Sequence, residues 1–176
     1  HNRFAWDLRY ALPGQEESPF GRAPEGPLAV PGMYQVKLTA AGNSATQPLK
    51  VVMDPRSTAT PAELQKVFDL SMSIVRDMLR TSEAIAEAAA ARRAKPELER
   101  EIAQIAGAGG GRGGRGGAVM GVTLASVNQM LSTALGVAGS ADRTPPATAY
   151  EIAATASKEL TRLLAEWKTL RDTKLK

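Results

Sequence analysis

Cysteine is absent from the 176 residues, and histidine occurs once, at position 1. Without a thiol there is no thiolate nucleophile, no disulfide framework and no cysteine-based metal site. With the sole imidazole on the first residue, a Ser-His-Asp triad or a multi-histidine metal centre has no material to be built from. Aromatic residues make up only 5%, and no apolar run approaches the roughly 20 residues of a membrane-spanning helix. Excess charge is small too: 22 Lys and Arg stand against 18 Asp and Glu, a net +4. The two signs interleave through the helical half, so acidic partners are permitted but not demanded. The chain starts at His1 without an initiator methionine, so the lack of a leader in these residues says nothing about compartment. What is abundant is alanine, 30 residues in all, which with so few aromatics points to closely packed helices. A chain of this length can bury roughly 70% of its extended surface, enough for one domain or one and a half.

The first 56 residues carry strand patterns. Phe4, Trp6, Leu8 and Tyr10 alternate with Ala5, Asp7 and Arg9, the period of a half-buried strand. A loop rich in Pro and Gly follows, from Ala11 to Pro31. Tyr34, Val36 and Leu38 then alternate with Gln35, Lys37 and Thr39, and Leu49, Val51 and Met53 alternate on the return. Met33–Ala40 and Thr46–Met53 therefore read as a hairpin turning at Gly42-Asn43, with Pro48 marking an edge or a bulge. Three strands are too few for a β-sandwich, which takes about seven. The expectation is that further strands lie upstream of His1 in a parent protein. The rival expectation is that the helices cover the sheet by themselves.

From Thr60 the period becomes 3.6. Thr60-Pro61-Ala62-Glu63 supplies a capping hydroxyl, proline at the first helical position and a glutamate three residues on, which together form a capping box. The stripe from Leu64 through Phe68, Ile74, Met78 and Ile85 carries this helix to about Arg93, with an alanine-rich last third. A short helix is expected over Pro96–Ala106, a third after the Thr123 cap, and a fourth opening at Thr144-Pro145 and running past Trp167 to Leu170. The predicted fold is α+β: a partial Ig-like antiparallel sheet of about three strands over 1–56, then an antiparallel bundle of three to four helices over 57–176.

Several features are candidates for function. The run Gly107–Gly117 reads GAGGGRGGRGG, and its two Arg-Gly-Gly units, with Arg112 and Arg115, resemble segments that bind RNA by charge and stacking. It has only two repeats and no aromatic, and a plain inter-helix loop is favoured. It is no phosphate-binding fingerprint, because no strand precedes it and no Gly-Lys-Ser/Thr follows. Glu97 with Glu101, and Glu83 with Glu87, stand one turn apart on helices and read as solvated charges, since acid–base chemistry needs carboxylates converging from different elements. No Glu-x-x-His pattern offers a di-metal bundle. Asp7, Arg9 and Asp54 flank the strands without calcium-loop spacing, and Asp54-Pro55-Arg56 reads as a strand-to-helix corner. Trp6 and Tyr34 could present an aromatic surface, though packing beneath helices or missing strands is the favoured reading. No catalytic, cofactor-binding or metal-ligating residue is assigned, and no cofactor is expected.

Asn2-Arg3-Phe4-Ala5-Trp6-Asp7-Leu8-Arg9-Tyr10 followed by Pro31-Gly32-Met33-Tyr34-Gln35-Val36-Lys37-Leu38 resembles the Ig-like strands after the β-propeller of large bacterial exported proteins. Those proteins carry BNR or sortilin-like repeats and are often labelled as glycosyl hydrolases. The link from Thr46-Gln47-Pro48-Leu49 to Met53-Asp54-Pro55-Arg56, the long capped helix, and Ser140-Ala141-Asp142 before Thr144-Pro145 resemble that family's C-terminal tail. The shorter Trp-Asp and Pro-Gly-x-Tyr pattern is similar to the Ig-like domain of flagellar hook-capping proteins. The resemblance implies a non-catalytic C-terminal module with a propeller upstream, in the periplasm or outside the cell. Its implied partners are that propeller, another protein, or a second copy through the sheet. The alternatives are an accessory part of a glycan- or peptide-acting hydrolase, and weak RNA binding through the Arg-Gly-Gly loop.

Overall fold

A computed structural model of the chain describes residues 5–12, 26–108 and 121–175. Two strands come first, β1 (Gly32–Ala40) and β2 (Asn43–Val51), paired antiparallel from Gly32↔Val51 to Ala40↔Asn43. Helix α1 (Pro61–Ala94) follows, then a 3₁₀ turn over Pro96–Leu98 leading into α2 (Glu99–Ala106), α3 (Leu124–Ala138) and α4 (Ala147–Lys174). The α+β class stands.

Among the described residues the expected sheet of about three strands has two. Of the predicted first strand, Phe4 lies outside the described residues, and the rest reduces to a single antiparallel bridge, Arg9↔Leu28. The cause is local. The Asp7 carboxylate accepts the Arg9 backbone N–H at 3.0 Å, and Trp6 Nε1 donates to the Arg9 carbonyl at 2.8 Å. Between them Leu8 sits at φ 63°. An aspartate bonding its own backbone two residues on makes a turn, which competes with a strand. Residues that alternation placed on one face thus go to different elements: the Trp6 ring packs edge-on against Tyr34 of β1, at 5.9 Å, and Tyr10 packs against Phe68 of α1, at 5.3 Å.

The hairpin also turns one residue earlier than Gly42-Asn43 suggests. Its loop is Ala41-Gly42, at φ 48° and 81°, and Asn43 begins β2. Two consecutive left-handed residues match the twist of the flanking strands. Pro48 sits opposite Gln35 in an unbroken register, so it marks an edge and not a bulge.

Helix α1 starts as its capping box dictates. Glu63 N–H donates to Thr60 Oγ1 while the Glu63 carboxylate accepts the Thr60 backbone N–H at 2.9 Å. Thr123 caps α3 in the same reciprocal way with Ser126. The fourth helix departs from expectation, since Pro146 is its N-cap and Thr144 does not cap it.

Pairings between the helices define their directions. Trp167 and Arg171 of α4 reach Glu87 of α1, and the Lys95 ammonium at the end of α1 donates to the Lys174 carbonyl at the end of α4. The constant offset means that α1 and α4 run parallel. Gly107, held to Arg92 near the end of α1, meets Thr123 and Ala125 at the start of α3, so α3 runs back between the long helices. The core they enclose contains Ile74 and Met78 of α1, Ile102 of α2, Leu124, Val127 and Leu131 of α3, and Leu160, Leu163 and Trp167 of α4. Alanines 84, 88, 134 and 156 are buried among them, and their small side chains let the helices approach closely. No helix among the described residues is long and apolar enough to cross a membrane.

Candidate functional site

Two features stand outside this core: a hairpin with an uncovered apolar face, and a cleft at its base. Residues directly opposite in an antiparallel pair share a face. Tyr34, Val36 and Leu38 therefore lie on one side with Leu49, Gln47 and Ala45, while Gln35, Lys37 and Thr39 lie on the other with Pro48, Thr46 and Ser44. Towards the tip nothing described covers the apolar side, leaving Val36 51% and Leu38 68% exposed. Neither strand packs its backbone against a helix, so the helices do not complete the sheet. Packing changes only at the base, where Val51 is buried and Leu49 half-buried.

Trp6 and Tyr34 extend this surface and do not enter the helical core. Trp6 remains 37% exposed. The Tyr34 hydroxyl donates to the Val30 carbonyl at 2.7 Å. Partial desolvation first, and then the neighbouring Tyr10, push its pKa above the ordinary phenol value, so it remains a donor.

The cleft, about 300 Å³, lies between the base of the hairpin and the bundle. Its walls include Leu28, Val51, Leu64, Phe68 and Leu135, with Arg9, Asp54 and Asp142 as charged groups. Sequence reasoning did not find this site, because its parts come from five stretches of chain that only the fold brings together. Asp54 is committed to Arg56, accepting its backbone N–H at 2.9 Å and its guanidinium at 2.7 and 3.0 Å. The guanidinium, and then the backbone N–H, hold that carboxyl below its usual range. A general acid needs the opposite shift. Arg9 in turn donates to the Gly26 carbonyl at 2.8 Å.

The helical carboxylates are bound into the fold or exposed. Glu87 accepts Trp167 Nε1 at 2.9 Å and the Arg171 guanidinium at 3.1 Å, and Glu101 pairs with Lys174 at 2.6 Å. Both tie α4 to its neighbours. Glu83 and Glu97 are exposed. Among the described residues no group of three or more His, Asp or Glu could hold a metal ion. Arg112 and Arg115 lie outside the described residues. Gly107, which opens that loop, ends α2 at φ 94° with its N–H on the Ala103 carbonyl.

Compared with protein-family models, with curated proteins and with solved structures, the chain matches none.

Proposed function

We propose that this chain is a non-catalytic structural and interaction module, in which the helical bundle is a rigid base and the hairpin is the docking arm. One observation carries the reading: beyond its base the hairpin stands clear of the bundle, and the face that carries Tyr34, Val36, Leu38 and Leu49 leaves Val36 and Leu38 exposed. A two-stranded sheet of this kind is marginal in water by itself and gains stability when another surface covers it. In line with the resemblance of Trp6-Asp7 and Pro31-Gly32-Met33-Tyr34, the surface that it serves is the remainder of a larger exported protein with an upstream propeller. The paired commitments of Asp54, Glu87 and Glu101 favour this over a hydrolytic role.

The test is binding in trans. The upstream propeller, produced separately, binds the chain, and a double Val36→Lys, Leu38→Lys variant binds about tenfold more weakly, about 1.4 kcal/mol, with an unchanged helical spectrum. Equal binding of both forms overturns the reading. So does hydrolysis of glycan or peptide substrates by the chain that disappears on Asp142→Asn, since Asp142 and Asp54 both line the cleft.

A further inference from the structure

A sheet is extended through its edges, and the two edges of this hairpin differ. The closing residues of the two-residue turn, Ala40 and Asn43, bond to each other, and bonded pairs alternate with unbonded ones from there. Met33, Gln35, Lys37 and Thr39 of β1 therefore turn their backbone groups outward, as do Ser44, Thr46, Pro48 and Lys50 of β2. Each edge carries one outward lysine, Lys37 on β1 and Lys50 on β2, but on β2 an inner outward position is Pro48, which has no N–H to give and so blunts that edge. On β1 every outward position keeps its donor, and no backbone group of the other described residues bonds to them.

The open edge is also complementary to itself. Placed antiparallel about Val36, two β1 strands set Tyr34 opposite Leu38 and Val36 opposite Val36 on the apolar face. On the polar face Gln35 meets Lys37 and Met33 meets Thr39, so no like charges oppose. The outward-facing residues fall opposite one another, where they can exchange backbone hydrogen bonds. A two-fold axis through Val36 keeps both apolar faces on one side, making a four-stranded sheet from two marginal hairpins.

We propose that the outer edge of β1 pairs with the same edge of a second copy of this chain, antiparallel about Val36. The proposal goes beyond the docking reading, which gives the apolar face to the parent protein, by assigning the backbone edge of β1 to a second copy. Sedimentation of the chain alone shows twice the 18.6 kDa mass of one copy. Lys37→Pro removes an outward donor of β1 and abolishes the dimer, whereas Thr46→Pro, opposite it on the blunted edge, keeps it. Val36→Glu and Val36→Lys are each monomeric, and their mixture restores the dimer, because the two charges meet across the axis. In a chain without cysteine, Val36→Cys forms an inter-chain disulfide under mild oxidation and Gln47→Cys, on β2, does not. A monomeric chain, a dimer that survives Val36→Glu, or equal cross-linking of both cysteine variants overturns the proposal. A monomer that still binds the upstream propeller through the hairpin face defeats the dimer and leaves the docking reading standing.

Discussion

Two glycines show how the same residue type acts with opposite sign. Gly107 lies at φ 94°, ψ 163°, and a Cβ there would come within 2.9 Å of the Ala125 Cβ and 3.1 Å of Thr123 Oγ1. That backbone region is essentially closed to other residues, at about 1–3 kcal/mol, and Thr123 is the buried cap of α3. Gly107→Ala should therefore destabilise the bundle by about 1–3 kcal/mol in urea unfolding. Gly136 sits within α3 with nothing near the position of a Cβ. Gly136→Ala should stabilise the protein by about 0.5–1 kcal/mol in the same measurement, since glycine is a poor helix residue. The core has the larger stake per residue. Leu160 and Leu131 are fully buried between helices, and either leucine replaced by alanine should cost about 2–5 kcal/mol.

Each element carries a local device with a measurable signature. The start of α1 depends on the ionised Glu63, whose pKa is lowered first by the backbone N–H of Thr60 and then by its hydroxyl. A carboxyl whose folded pKa is depressed contributes stability above its unfolded pKa and loses it as pH falls through its folded pKa. The helix N-terminus favours the same charge. Wild type should thus lose stability relative to Glu63→Gln as pH falls through and below the ordinary carboxylate range, read as the difference in urea midpoints. The hairpin turn carries the opposite kind of feature. Ala41 occupies the left-handed region at φ 48°, a conformation that asparagine tolerates better than alanine. Ala41→Asn should stabilise the hairpin by about 1 kcal/mol, seen as slower amide exchange in β1 and β2 with helical amides unchanged.

For the whole molecule, the separation between hairpin and bundle is the fact with consequences. The bundle has its own core, shared by all four helices, whereas the hairpin rests on its base at Val51 and on the Trp6–Tyr34 contact. Such elements open independently. Hairpin amides should exchange much faster than those of α3. Leu160→Ala should accelerate exchange in the helices and leave the hairpin rates alone.

The sequence by itself determined the elements whose cause is local. Thr60 and Glu63 fixed the start of α1, Thr123 that of α3, and alternation from Tyr34 to Leu38 gave β1 its apolar face. Where two local signals competed, alternation misled: Asp7 turned the chain that Phe4–Tyr10 seemed to extend. The turn fell at Ala41-Gly42 because the pairing register, set across two strands, chose between neighbouring candidates. Only the tertiary structure decided what meets what. The parallel course of α1 and α4, the coming together of Arg9, Asp54 and Asp142 at one cleft, and the exposure of Val36 and Leu38 depend on contacts between residues far apart in the chain. No local pattern encodes these contacts. The lack of cysteine, and of any histidine beyond position 1, removed whole classes of chemistry without reference to shape, because a residue that is missing is missing in every fold. What the remaining residues do was left to packing, which buried one apolar stripe and left another in water.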